Sequence, residues 1–110
     1  MGFLLHFARA LQVKSQQNQI NLEMMRITNQ QTDIAKRLSA LEQMASVVDK
    51  ENPGLKMLEL TKQMLISMNN ALDLRLKHLQ TRAQMLANEE MALDKALPEA
   101  VAKSAPKYCG

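Results

Sequence analysis

Aliphatic residues recur at every seventh position through most of this chain, and no other feature restricts its fold so tightly. Val13, Ile20, Ile27, Ile34, Leu41 and Val48 form one series, and Leu58, Leu65, Leu72, Leu79, Leu86 and Leu93 form a second. A repeat of seven is an apolar stripe returning every two turns of α-helix, whereas a half-buried strand needs alternation at every second residue. Ala10, Met24, Leu38 and Ala45 interleave with the first series, and Leu55, Leu76, Ala83 and Leu97 with the second. The spacing predicts two amphipathic helices zipped along a coiled-coil-like seam. Gln17 and Gln31 also occupy interleaved positions. A buried amide there fixes register at a cost in stability, while a frayed seam leaves it in water.

Between the two series lies Asp49-Lys50-Glu51-Asn52-Pro53-Gly54. Pro53 has no amide hydrogen and disfavours helical geometry at Asn52, and Gly54 adds backbone freedom, so a helix should end near Asp49. The same residues start the next helix, with Asn52 capping its free amides and Pro53 at the first helical position. A short turn of Asn52, Pro53 and Gly54 between two helical arms predicts an all-α fold, a long antiparallel two-helix hairpin. The expected hairpin covers 1–97, with a helix over about 3–49, a turn at 49–54 and a helix over about 53–97. Pro98 is expected to end the second helix, leaving 98–110 as a tail. In antiparallel register, Arg9 should lie near Glu89, Glu90 and Asp94, Glu23 near Lys77, His78 and Arg82, and Glu42 near Lys56 and Lys62. Such exposed pairs set orientation more than stability.

Composition agrees with helices and restricts function. Hydrophobic residues make up 46% of the 110, yet aromatics only 3%, and the nine methionines share the apolar load with Leu, Ile and Ala. A net charge of +3 is a weak argument for any anionic partner. The group Arg75, Lys77, His78 and Arg82 lacks stacking aromatics and is diluted by Asp73 and Glu89, which disfavours nucleic acid. Cys109 is the single cysteine and has no partner for an intrachain disulfide. No run approaches the roughly 18 apolar residues that would span a bilayer. Phe3 to Ala10 lacks the basic leader and the apolar length of a cleaved signal, so the chain is expected to be cytoplasmic or exported by a signal-independent route.

Catalytic, metal and cofactor motifs are missing. His6, His78 and Cys109 have no metal-ligand spacing, no glycine-rich phosphate loop occurs, and Glu89, Glu90 and Asp94 have no partner base or nucleophile. What remains is surplus apolar surface. Met57, Leu60, Met64, Met68, Ala71 and Leu74 form a second stripe beside the leucine series, wider than one partner helix covers. Eight of the 17 residues from Ser15 to Gln31 are Asn or Gln, giving a face with little charge to repel a copy of itself. Phe3, Leu4, Phe7 and Leu11 share one face at the start of the chain; it suits a membrane surface as well as a neighbouring helix, and docking on a neighbour is favoured. The expected assembly face thus comprises Gln19, Gln30, Met57, Met64, Met68, Phe3 and Phe7. Two arms of about 45 residues at 1.5 Å per residue, roughly 70 Å each, bury little of themselves without such a partner. The expected function is a non-enzymatic structural subunit that self-assembles through helix packing into a filament, tube or ring. The alternative is a small helical adaptor, chaperone or regulator acting as a dimer or four-helix bundle. Under either reading the first partner expected is a copy of the chain itself, and the second is another helical protein.

Overall fold

The computed structural model describes the backbone of residues 2–104 and the side chains of residues 2–99. It is an all-α helical hairpin of two long helices, α1 (Gly2–Val47) and α2 (Pro53–Ser104), with no strand among the described residues. From Phe3 to Asn52 the sequence contains neither Gly nor Pro, so nothing interrupts the i to i−4 ladder of α1. Hydroxyls within the helices turn back on the chain: Thr28 Oγ1 donates to the Met24 carbonyl at 2.9 Å and Thr61 Oγ1 to the Met57 carbonyl at 2.9 Å.

The turn uses the predicted residues in the predicted roles, with one difference. Asn52 N–H donates to the Asp49 carbonyl at 2.9 Å, which stops α1 at Val47, two residues short of the expected end. Asn52 Oδ1 then accepts the Gly54 N–H at 2.8 Å, satisfying one of the orphan donors at the start of α2. Such a cap contributes about 1 kcal/mol. Gly54 does not supply a left-handed backbone, because no glycine of the described residues has positive φ. It supplies space, since a Cβ there would stand 3.1 Å from the capping Asn52 Oδ1.

Pro98 does not end α2, which corrects the expected boundary at residue 97: the helix runs through it to Ser104. Proline in a helix interior costs about 3 kcal/mol, through a lost hydrogen bond and a clash with the carbonyl four residues back, and good helix formers after it offset part of that cost. Glu99, Ala100, Ala102 and Lys103 are such residues. The rest of the expected tail, residues 105–110 with Cys109, lies outside the described residues.

The contacts divide the hairpin into two compact units. The first comprises α1 through Leu22 and α2 from Leu79 onward. Its core is Val13 and Ile20 from α1 with Leu79, Leu86 and Leu93 from α2; Val13 and Leu79 are each only 1% exposed. The Arg9 guanidinium grips Glu89 through two bonds, Nε to Oε1 at 2.5 Å and Nη2 to Oε2 at 2.7 Å. The second unit, Glu23–His78, buries Ile27, Ile34 and Leu65 and half-buries Leu41, Val48, Leu58 and Leu72. Here Arg75 Nε donates to Glu23 Oε1 at 2.7 Å, and Lys62 Nζ lies 3.6 Å from Glu42. Arg9 with Glu89 and Glu42 with Lys62 are expected pairs. Glu23 takes Arg75 instead of Lys77, His78 or Arg82, because the guanidinium reaches across the seam to it, while Lys77 turns to Asp73 four residues back on its own helix.

Candidate functional site

On α2, Met57, Leu60, Met64 and Met68 stand three or four residues apart and therefore share one stripe. All four are exposed, Met64 at 66%, and Ala71 continues the stripe with its side chain exposed too. Each of the seam leucines Leu58, Leu65 and Leu72 follows a stripe residue by one position, a turn of about 100° around the helix. The leucines therefore take the contact with α1, and the methionines are left on the flank. This is the physical reason for the division: a helix zipped to one partner buries one stripe and cannot bury the next.

Beside the stripe runs a groove of about 330 Å³, lined by Gln30, Asp33, Ile34 and Arg37 from α1 and by Met68, Ala71 and Leu72 from α2. Seam residues Ile34 and Leu72 form its apolar base, Met68 and Ala71 its apolar wall, and Gln30, Asp33 and Arg37 its polar wall. Asp33 and Arg37 are exposed and take no part in the ion pairs of this unit. A second concavity, about 620 Å³, opens at the turn between Asp49, Lys50, Glu51, Asn52 and Pro53. Its acids flank Lys50 and face no nucleophile.

Of the expected assembly face, Gln30 and Met68 meet in the groove and Met57 and Met64 extend the same stripe. Phe3, Phe7 and Gln19 belong to the other unit. There Phe3 and Phe7 stack on each other, ring centroids 6.0 Å apart, and remain exposed, as do Leu4, Leu5 and Leu11. His6 Nδ1 is held by the Gly2 carbonyl. Gln19 is exposed. Gln17 and Gln31, the seam amides, are half-buried, and no buried side-chain nitrogen or oxygen among the described residues lacks a partner. The sequence reading passed over Asp33 and Arg37, whose signal is their spacing of four on the α1 face nearest the stripe. Leu22 and Met25 are exposed together on α1, three residues apart.

The Arg9 guanidinium, chiefly by its hydrogen bonds, holds the Glu89 carboxyl below its ordinary value, against an opposing effect of desolvation and with a lesser contribution from its charge. Among the described residues no three His, Cys, Asp or Glu side chains gather where they could hold a metal ion, and no helix is long and apolar enough to cross a membrane. Comparisons with protein-family models, with curated proteins and with solved structures find no match to this chain.

Proposed function

We propose that this chain is a non-enzymatic structural subunit that assembles with copies of itself into a filament, tube or ring. The observation that carries the reading is the exposed stripe of Met57, Leu60, Met64 and Met68 beside a closed seam. Removing apolar surface from water is worth about 25 cal/mol per Å², and a hairpin that leaves a whole stripe wet gains that contribution only on meeting a partner. Methionine suits the task, because its unbranched side chain adapts to whatever packs on it. Open growth takes a second contacting surface as well. The exposed Phe3, Phe7 and Leu11 of the other unit offer one, and the uncharged amides around Gln19 do not oppose it.

The groove favours a second reading, an adaptor or chaperone. An apolar base and wall facing a polar wall is a shape that receives an amphipathic helix of another protein. Light scattering after size exclusion, over a hundredfold range of concentration and with negative-stain images of the same fractions, separates the two. Mass that grows with concentration, accompanied by rods or rings, is the expected result. A constant mass of two or four chains would instead support the adaptor.

A further inference from the structure

We propose that the groove-bearing face of the Glu23–His78 unit is a two-fold contact, docking antiparallel on the same face of a second copy with Met64 against Met64 at the axis. The inference rests on the self-assembly reading and names its first contact. Two features on different helices point to an axis at the same level.

On α2 the apolar stripe reads nearly alike in both directions from Met64. Leu60 and Met68 stand four residues to either side, and Met57 and Ala71 seven. An antiparallel copy centred on Met64 therefore sets Leu60 against Met68 and the long Met57 against the small Ala71, so that bulk meets space. No charged residue lies in the stripe to be trapped without a partner.

On α1 the exposed Asp33 and Arg37 lie two residues to either side of position 35 and carry opposite charge. A two-fold axis level with position 35 sets Asp33 opposite Arg37 of the partner subunit, and the reverse, giving two reciprocal ion pairs from groups that have none among the described residues.

The two positions lie at one level of the unit. The ion pairs Glu23–Arg75 and Glu42–Lys62 cross the seam on either side, and at equal rise they set position 35 level with position 63 by the first and position 69 by the second, a span of α2 that contains Met64. The other two-fold arrangement, with its axis along the helices, would press the methionines on the polar wall of Gln30, Asp33 and Arg37 and bury those groups against apolar surface. The contact is closed by its symmetry, so a dimer is the repeating unit and growth proceeds through a different surface.

The test is a mixing experiment read by sedimentation velocity, with circular dichroism to show that each variant is helical. Asp33→Arg alone sets Arg against Arg at both pairs, and Arg37→Asp alone sets Asp against Asp. Each is expected to weaken self-association tenfold or more, on the order of the cost of like charges brought together. An equimolar mixture of the two restores opposite charges at both pairs, and association is expected to return to near the level of the unsubstituted chain. A pairing within one chain cannot produce rescue on mixing. As a second readout, Met64→Cys in a Cys109→Ser background is expected to oxidise to a disulfide-linked dimer. If the mixture remains dissociated, or if either single variant associates as the unsubstituted chain does, this contact is wrong while the self-assembly reading stands. If the unsubstituted chain is a single hairpin at every concentration, both fall.

Discussion

Glu89 shows how a charged side chain contributes to the fold of this protein. Its carboxylate accepts two bonds from Arg9, and those bonds hold its pKa below the ordinary value. Because the pKa is lower folded than unfolded, the pair stabilises the folded chain above the unfolded value of about 4.3. That contribution is lost as pH falls through the lowered folded value. Both side chains are more than a third exposed, so solvent screening keeps the contribution small. Hydrogen-exchange protection, corrected for intrinsic rate, is expected to fall below about pH 4 for amides of residues 2–22 and 79–99, and to converge there with that of Glu89→Gln. Identical profiles for the two proteins across the whole range would show that the pair contributes nothing. Asn52 and Gly54 work on the same scale, one as a cap and the other as the space that cap needs.

At the scale of the helix, burial follows the heptad series closely. Val13, Ile20, Ile27 and Ile34 are buried, as are Leu65, Leu79, Leu86 and Leu93. Leu79→Ala is expected to cost about 2–5 kcal/mol in chemical denaturation. Leu74→Ala, at a position 69% exposed on the same helix, should stay within about 0.5 kcal/mol. Equal effects at the two positions would mean that the seam does not carry the fold. The seam and the turn were legible in the sequence because period and proline chemistry are local properties. The course of α2 past Pro98 was not, since one lost hydrogen bond competes with the helix formers that follow it, and sequence alone does not weigh the two. Nor was the choice of Arg75 by Glu23, which depends on the reach of a side chain across the seam rather than on residue count. The groove was half legible: its methionine wall stands out as a stripe, while Asp33 and Arg37 look like ordinary helix-surface charges until the α2 wall is set beside them.

For the molecule as a whole, folding leaves apolar surface over. The seam is filled by residues that each unit needs for itself, and Met57, Leu60, Met64 and Met68 are apolar without being used there. The central claim is that this stripe serves association and not folding. Met64→Lys puts a charge in the middle of the stripe at a position 66% exposed, where the hairpin itself does not pack on it. The most direct measurement is the mass of Met64→Lys beside that of the unsubstituted chain by sedimentation velocity at matched concentrations, with helicity followed by circular dichroism. Full helicity in both proteins is expected, with growing mass for the unsubstituted chain and a lower mass for the variant at every concentration. Equal association of the two would contradict the claim.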